Sequence, residues 1–280
     1  MRRLSSGRVP EVTEHRAQLE GQPLFYRSAA APPGGGAPAL FLHGVPTSSD
    51  DWLPFLTRTG GLAPDLPGFG RSTKRGDGDF TMDGYARFVE RFLDLVEVER
   101  VQLVVHDWGA AGLVWAQRRP ERVERLVVMA AVPLLPGYRW HRMARAWRSH
   151  ALGELVMGAT NRWALARSLP AELAPGAWEH FDQGTQRAIL RLYRSSPEDA
   201  LARAGAGLGR IRCPALVLWP DRDPYIPSRF GEAYAAALPD ARLVPLPGAG
   251  HWPWIGRPEV VDAVADFLAG RDVPATAAAA

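Results

Sequence analysis

Cysteine is nearly absent from this sequence, which contains a single one, Cys213, in 280 residues. One thiol excludes an internal disulfide framework, and the lack of such a framework favours a reducing compartment, so we expect a cytoplasmic protein. Long apolar runs are missing too, since the longest, residues 126–135, is short and is interrupted by Pro133. The basic residues 1–7 are not followed by an apolar segment. We therefore expect neither a secretion signal nor a membrane span.

The sequence also lacks a strong excess of one charge and a complete nucleotide-binding motif. Its 33 basic and 30 acidic residues leave a formal charge of +3, which indicates no basic face and no nucleic-acid partner. The stretch Gly68-Phe-Gly70 lacks the third glycine of a dinucleotide motif, and the glycines at 205, 207 and 209 precede a predicted strand instead of opening a helix. No Gly-x-x-x-x-Gly-Lys-Ser/Thr stretch occurs. We expect no nucleotide cofactor and no metal site.

Hydrophobic residues make up 46% of the sequence, which is ample for a large core. A hairpin is predicted over residues 12–19 and 23–26. Apolar runs predict further strands at 39–42, 101–105, 123–132, 214–219 and 241–246, and apolar residues at helical spacing predict a helix over 82–96. Apolar strands that alternate with helices are typical of an α/β fold, with a mostly parallel central sheet covered by helices on both faces.

Residues 133–210 break this alternation. The segment is rich in arginine and tryptophan, and its pattern predicts helices at 140–147, 153–166 and 186–193 but no strand. We interpret it as a helical cap inserted into a core domain formed by residues 11–132 and 211–270. Residues 1–10 and 271–280 are expected to be flexible tails.

Asp107 occupies the junction between a predicted strand and a predicted helix. The apolar run at 101–105 leads into His106-Asp107-Trp108-Gly109, and residues 109–117 have a helical pattern. An aspartate at such a junction commonly caps the helix. It can alternatively be a nucleophile, because a carboxylate is ionised at neutral pH and can attack an sp3 carbon directly. Such a nucleophile would select carbon–halogen bonds or epoxides over amides.

The stretch around Asp107 resembles the nucleophile elbow of α/β-hydrolases, in the branch with an aspartate nucleophile that contains haloalkane dehalogenases and epoxide hydrolases. The stretch His43-Gly-Val45-Pro46 resembles the loop that this family places beside the nucleophile. The resemblance covers most of residues 20–270 and implies the α/β-hydrolase fold. It also implies an oxyanion hole formed by the backbone N–H groups of Val45 and Trp108.

Two further residues match the family's chain order of nucleophile, acid and histidine. Asp223 follows the predicted strand at 214–219, and His251 follows the predicted strand at 241–246. Asp221 is an alternative acid, but Asp223 stands directly before a proline, as in the family's pattern. The plainer interpretations are turn aspartates and a surface histidine. The resemblance implies that Asp107 forms an alkyl ester and that His251, oriented by Asp223, activates water to hydrolyse it.

The residues that stabilise the leaving group would separate the two activities. A phenol can protonate the oxygen of an opening epoxide, and the predicted cap contains Tyr138 and Tyr193. An indole N–H suits a halide, which Trp108 could bind together with a cap tryptophan. Packing of the cap is the plainer role for each of these aromatic side chains. The cap tryptophan candidates are Trp140, Trp147, Trp163 and Trp178.

The sequence leaves three functions open. We favour an epoxide hydrolase that acts on a small apolar substrate with water, because the settings of Tyr193 and His251 resemble those enzymes. Haloalkane dehalogenase is the alternative, since Val105-His-Asp-Trp-Gly resembles that group, although Val45 supplies no side-chain donor. A repurposed scaffold of the same fold would be a different class of function. A complete set of nucleophile, acid, base and oxyanion loop argues against it.

Overall fold

The structure is a computed structural model that describes residues 10–32 and 36–273. Most of the two predicted tails lies outside the described residues, which leave out residues 1–9 and 274–280. The described chain forms one sheet with helices packed around it.

The sheet has eight strands, and most of them are parallel. The strands are β1 Val12–Leu19, β2 Gln22–Ala29, β3 Ala39–Leu42, β4 Gly61–Pro64, β5 Val101–Asp107, β6 Val123–Ala131, β7 Ala215–Pro220 and β8 Ala241–Leu246. Their order in the sheet is β1-β2-β4-β3-β5-β6-β7-β8. β2 pairs antiparallel with β1 and with β4, and the other pairings are parallel. The predicted α/β fold with a mostly parallel sheet is confirmed.

The helices pack as layers on this sheet. They are α1 Leu53–Thr59, α2 Met82–Leu95, α3 Ala111–Arg118, α4 Arg142–Arg148, α5 Leu152–Gly158, α6 Arg162–Ala166, α7 Ala174–Glu179, α8 Gln183–Ser195, α9 Glu198–Ala204, α10 Arg229–Ala237 and α11 Pro258–Leu268. α1 packs with α11, α2 packs with α3, and α10 lies against β7 and β8. Within the described residues, no helix combines the length and the apolar character that a membrane crossing requires.

Strand β5 lies in the middle of the sheet, between β3 and β6, and all of its residues are buried. A strand covered on both faces needs an apolar sequence without polar alternation, and the run at 101–105 supplies one. Leu42 at the end of β3 is paired with Val105, and Val105 is paired with Val128 of β6. The carboxyl ends of these parallel strands therefore meet at one edge, and Asp107 ends β5 at that edge.

Between β6 and β7 lies a segment of residues 133–210, termed here the inserted helical segment, that contains α4 to α9 and no strand. The prediction of one helix over 153–166 is wrong, because α5 ends at Gly158 and α6 begins at Arg162. Asn161 explains the break, since its side chain accepts a hydrogen bond from Ala164 N at 2.9 Å and starts a new helix. The short helices α7 and α9 contain too few apolar repeats to be predicted from periodicity.

Side-chain hydrogen bonds attach the inserted helical segment to the rest of the molecule in two places. The amide of Gln117, on α3, donates to Ala204 O at 3.0 Å and accepts from Gly207 N at 2.7 Å. At the second place, the Thr185 hydroxyl donates to Gly68 O at 3.0 Å. Buried polar groups that are satisfied in this way fix the relative position of the elements they join.

Candidate active site

Asp107 has a strained backbone, with φ 47° and ψ −119°. Positive φ in a non-glycine residue costs about 1–3 kcal/mol and is concentrated at functional sites. The turn from β5 to α3 is so tight that a Cβ at Gly109 would overlap Leu42 O. The Asp107 side chain makes no capping hydrogen bond, so the helix-cap interpretation is wrong. The geometry is that of a nucleophile elbow, which raises the carboxylate above the edge of the sheet.

The Gly44–Val45 peptide lies against the Asp107 carboxylate. Val45 N–H donates to Asp107 Oδ2 at 3.0 Å, and a Cβ at Gly44 would overlap the same carboxylate. His43 holds this peptide in place: its Nε2 accepts from Leu66 N at 2.8 Å, so its Nδ1 carries the proton and donates to Gly44 O at 2.6 Å. The Val45 N–H is therefore fixed toward the position where an oxyanion would form on Asp107.

His251 lies between two carboxylates. Its Nδ1 is 2.7 Å from Asp223 Oδ2, and its Nε2 is 3.7 Å from Asp107 Oδ1. Asp223 is itself fixed, because its Oδ1 accepts from Tyr225 N at 2.7 Å and from Ile226 N at 3.0 Å. A carboxylate on Nδ1 holds the proton there and leaves Nε2 as the basic nitrogen, which faces Asp107.

Asp221, the other sequence candidate for the acid, has a different role. Its Oδ1 accepts a hydrogen bond from Gly248 N at 2.7 Å, at an exposed position. It stabilises the turn that follows β8 and makes no contact with His251. The structure thus brings together Asp107, Asp223 and His251 and leaves Asp221 outside the group.

Burial and neighbouring charges shift the pKa values of both Asp107 and His251. Burial raises the pKa of Asp107 to about 6, and the charge of His251 and the N–H groups of Val45 and Trp108 oppose that shift. Burial acts to lower the pKa of His251, but the charges of Asp223 and Asp107 outweigh it and raise this pKa above its ordinary value. The two groups, both almost fully buried, therefore titrate as a coupled pair.

His106 is a contributor that the sequence motif contained but that sequence reasoning did not assign. Its Nε2–H donates to His251 O at 2.8 Å, and the two rings lie 4.8 Å apart. Burial holds the pKa of His106 well below its ordinary value, so the ring is neutral. Alternation along β5 is the signal that could have found it, because neighbours in a strand point to opposite faces. His106 links the elbow to the loop that carries His251.

Asp107 and His251 border a cavity of about 210 Å³ between the strand ends and the inserted helical segment. Its wall is mainly apolar, with Met157, Leu165, Phe181 and Ile189 among the lining side chains. A larger groove of about 630 Å³ lies beside α2, α3 and α9, but its lining holds no pair of nucleophile and base. An apolar cavity next to a buried carboxylate suits a small apolar substrate.

The candidate tryptophans differ in whether they line the cavity and in whether the indole N–H is already hydrogen-bonded. Trp140 lines the cavity, but its indole N–H donates to Ser196 O at 2.9 Å and is not available to a ligand. Trp163 is 69% exposed and Trp178 is half-buried, and neither lines the cavity. Trp147 lines the cavity, and its buried N–H has no hydrogen-bond partner in the described structure. Trp108 is not among the lining residues: its buried N–H has only the Tyr193 hydroxyl beside it, and its ring stacks on Trp140 with centroids 5.4 Å apart.

Both candidate tyrosines line the cavity. Tyr138 and Tyr193 are 3% and 5% exposed. The Tyr138 hydroxyl forms no hydrogen bond with a described residue, and the only hydrogen-bonding side chain beside the Tyr193 hydroxyl is Trp108. Burial raises the pKa of each phenol, and the negative charge of Asp107 raises it further. Both hydroxyls therefore stay protonated and can act as donors. The Tyr193 ring lies edge-on to Trp108, with centroids 4.9 Å apart, which places it closer to the elbow tryptophan than any other described ring.

Known proteins resemble this chain in sequence and in fold. Residues 39–264 match the family model described as the alpha/beta hydrolase family. A haloalkane dehalogenase of Mesorhizobium japonicum is 31% identical over 78% of this chain and 79% of its own, and one of Bradyrhizobium diazoefficiens is 29% identical over 93% and 95%. The crystal structure of an ancestral haloalkane dehalogenase, 27% identical, covers 91% of this chain and 98% of its own with a TM-score of 0.77.

The chain belongs to the α/β-hydrolase family, since the family model matches most of it. The mostly parallel sheet, the strained turn at Asp107 and the loop that carries His251 agree with that class of protein. Within that family it belongs to the dehalogenase-like branch, whose nucleophile is an aspartate. The chain is a hydrolase. The preference for epoxide hydrolase drawn from the sequence is not supported by these relatives, which favour the haloalkane alternative.

Proposed function

We propose that this hydrolase breaks the carbon–halogen bond of a small apolar haloalkane through an ester intermediate on Asp107. The observation that carries the proposal is the Asp107 carboxylate, buried at an apolar cavity with His251 Nε2 at 3.7 Å from one oxygen and Val45 N–H on the other. The relatives that are haloalkane dehalogenases support the same reaction class. The inserted helical segment would then act as a cap that excludes water from the cavity.

In the first step, Asp107 Oδ1 attacks the halogen-bearing carbon. The new carbon–oxygen bond forms as the carbon–halogen bond breaks, and the electron pair of that bond leaves with the halide. Oδ2 stays on the Val45 N–H, so Oδ1 is the oxygen presented to substrate. No base is needed, because the attacking group is already an anion.

In the second step, His251 Nε2 takes a proton from water, and the resulting hydroxide attacks the ester carbonyl carbon of Asp107. The oxyanion that forms is stabilised by the N–H groups of Val45 and Trp108. Collapse of the intermediate breaks its bond to the alkoxide oxygen, which takes the proton of the newly added hydroxyl group, so the alcohol leaves and the Asp107 carboxylate is regenerated. The proton held by His251 is lost to solvent, so the net products are alcohol, halide and a proton.

The departing halide needs hydrogen-bond donors, and this chain offers an indole and a phenol. Trp108 N–H has no hydrogen-bonding neighbour among the described residues other than the Tyr193 hydroxyl, and the two rings lie edge-on to each other. We assign these two groups to the halide. Val45 has no donor side chain, so the Tyr193 hydroxyl takes the place of a second donor from that loop.

The test uses 1-bromobutane and 1,2-dibromoethane, with bromide release and alcohol formation as readouts. The wild-type protein should release bromide and alcohol in equal amounts. Tyr193→Phe should lower bromide turnover by about tenfold to a hundredfold, since a hydrogen bond to a charged group is worth about 1.5–3 kcal/mol. Tyr225→Phe is the matched control, because that phenol lines the same cavity but already donates to Ser168 O at 3.1 Å.

Epoxide hydrolysis is a second candidate, favoured by one specific observation. Tyr138 and Tyr193 both line the cavity that Asp107 borders, and neither hydroxyl donates to another described residue. Opening an epoxide leaves an alkoxide, which gains about a hundredfold or more from a positioned acid. Styrene oxide in the same assay separates the candidates: diol without bromide release would replace the haloalkane proposal, and loss of diol formation in both Tyr138→Phe and Tyr193→Phe would identify the acids.

A further inference from the structure

Large exposed apolar side chains are concentrated in one part of the molecule. Of the six in the described residues, four belong to α4, α5 and α6 of the inserted helical segment. Leu155 and Trp163 are the most exposed, at 70% and 69%. Trp163 was a candidate for the active site, yet it lies outside the cavity. The four residues are Met143, Leu152, Leu155 and Trp163.

The same stretch carries a local excess of positive charge. Residues 139–167 contain six arginines and one acidic residue, Glu154. Glu154 is already held by the guanidinium of Arg194 at 2.7 Å and 2.8 Å, and Arg148 lies 3.4 Å from Glu198. The remaining arginines are exposed and form no ion pair with any described residue: Arg139, Arg142, Arg145, Arg162 and Arg167. The small net charge of the whole chain conceals this excess.

We propose that residues 139–167, termed here the cationic-apolar surface, bind an anionic lipid bilayer. Surfaces that bind at a bilayer interface combine leucine and tryptophan with arginine, because the apolar groups enter the acyl boundary while the cations meet acidic headgroups. The guanidinium of Arg167 lies 4.8 Å from the centre of the Trp163 ring, which keeps a cation beside the inserting aromatic group.

Charge complementarity decides between a bilayer and the other partners that could cover this surface. A second copy of the chain would bring two unpaired arginine clusters together, which repel each other. Nucleic acid would satisfy the arginines but would leave Leu152 and Leu155 exposed to water. An anionic bilayer satisfies both the cations and the aliphatic groups.

The cationic-apolar surface lies next to the cavity. Met143 of α4, Met157 of α5 and Ala164 of α6 line the cavity, so the helices of the cationic-apolar surface are also walls of the site. A protein bound through these helices would have its cavity next to the bilayer. The binding itself does not depend on the proposed reaction, and it is measured without substrate.

The experiment is sedimentation of the full chain with vesicles of phosphatidylcholine alone or with phosphatidylglycerol added. Binding is expected only to the anionic vesicles, and it should weaken as salt is raised, because salt screens the attraction. Arg142→Gln combined with Arg162→Gln should reduce the partition coefficient by about fivefold for each arginine removed. Leu155→Ser combined with Trp163→Ser should abolish binding in low salt.

Matched controls remove the same kinds of groups elsewhere. Leu95→Ser removes an exposed leucine at the end of α2, and Arg242→Gln removes an exposed arginine of β8. Neither should change the partition coefficient. None of the substituted residues lines the cavity, so thermal unfolding and turnover of a soluble substrate should stay at the wild-type level and show that each variant is folded.

Three outcomes would overturn the proposal. Equal binding to neutral and anionic vesicles would show that charge is not involved. Binding by the cationic-apolar variants at the level of the controls would place the contact elsewhere on the molecule. A change in mass by light scattering between the wild type and the Leu155→Ser, Trp163→Ser variant would identify the surface as a contact between copies of the chain instead.

Discussion

His251 contacts two aspartates, and the proposed mechanism gives them opposite tasks. Asp223 is hydrogen-bonded on both of its oxygens and keeps the Nδ1 proton in place, whereas Asp107 faces the other ring nitrogen. The contact with Asp223 is strong because a carboxylate accepts a hydrogen bond of 2.7 Å there, and bonds to an ionised acceptor are among the stronger ones in proteins.

Replacing the acid should affect the second step far more than the first. Asp223→Asn leaves an amide that can donate to Nδ1 and stabilise the wrong tautomer, so hydrolysis of the ester should slow by about a thousandfold or more. Rapid-quench measurements should then show one halide released per enzyme before turnover stalls, and intact-mass analysis should show an adduct on Asp107. Asp221→Asn, which only weakens a turn, should change the rate less than about threefold. The reverse ranking would identify Asp221 as the acid.

The pH dependence of ester formation should report the pKa of Asp107, the proposed nucleophile. Burial raises the pKa of Asp107 to about 6, so its ionised fraction, and with it the rate of ester formation, should fall as pH drops through about 6. His251→Gln removes a charge that lowers this pKa, so in the single-turnover burst of that variant the acid limb should shift to higher pH. Stopped-flow halide release across the acid and neutral range measures both limbs. A limb at the ordinary aspartate value in the wild type would contradict the assignment.

The turn at Asp107 depends on two glycines, Gly44 and Gly109, that pack against different partners. A Cβ at Gly44 would overlap the Asp107 carboxylate, which is a side chain that can move aside. A Cβ at Gly109 would overlap Leu42 O, which belongs to the backbone of β3 and cannot move without disturbing the central sheet. The first contact belongs to the site and the second to the fold.

Gly44→Ala should therefore mainly lower activity, whereas Gly109→Ala should mainly lower stability. Gly44→Ala should lower kcat for bromoalkanes by about a hundredfold or more by displacing the nucleophile, while stability changes by less than about 1 kcal/mol. Gly109→Ala should destabilise the protein by about 2–4 kcal/mol because β3 and β5 must separate. Chemical denaturation and bromide release, measured side by side, check both. Equal losses of stability in the two variants would show that the Gly44 contact is also part of the fold.

Whole elements were predictable where the physical signal is local. Strands β1 and β8 have the bounds expected from the sequence, because the residue patterns that define them act within a few residues. The division of the predicted helix 153–166 was not anticipated, since a single asparagine cap outweighed a run of apolar residues. Short helices such as α7 depend on packing rather than on a pattern of their own.

Side-chain hydrogen bonds of Gln117 and Thr185 attach the inserted helical segment to the rest of the molecule. Gln117 satisfies two backbone groups after α9, and Thr185 at the start of α8 bonds to Gly68 O. These contacts should hold the segment over the cavity without contributing to the stability of the sheet itself.

Weakening the attachments should loosen one part of the chain and spare the other. Gln117→Leu with Thr185→Val leaves the backbone groups of Ala204, Gly207 and Gly68 without partners, each at a cost of about 1–3 kcal/mol. Hydrogen exchange should rise in residues 133–210 while the amides of β5 and β6 keep their protection. Thr57→Val, which removes a hydroxyl bonded within α1, is the control. Uniform loss of protection across the sheet would show that the segment and the sheet unfold as one unit.

The fold class and the chain positions of the candidate site were predictable from the amino-acid sequence. Apolar runs specify buried parallel strands, and the parallel arrangement carries Asp107, Asp223 and His251 to one edge, because each residue ends or follows a strand that reaches that edge. Which of the two nearby aspartates contacts His251, and which aromatic groups of the inserted helical segment line the cavity, was visible only in the folded structure. Those choices depend on packing between residues far apart in the chain, as when Ser196 O takes the N–H of Trp140, and no local pattern encodes them.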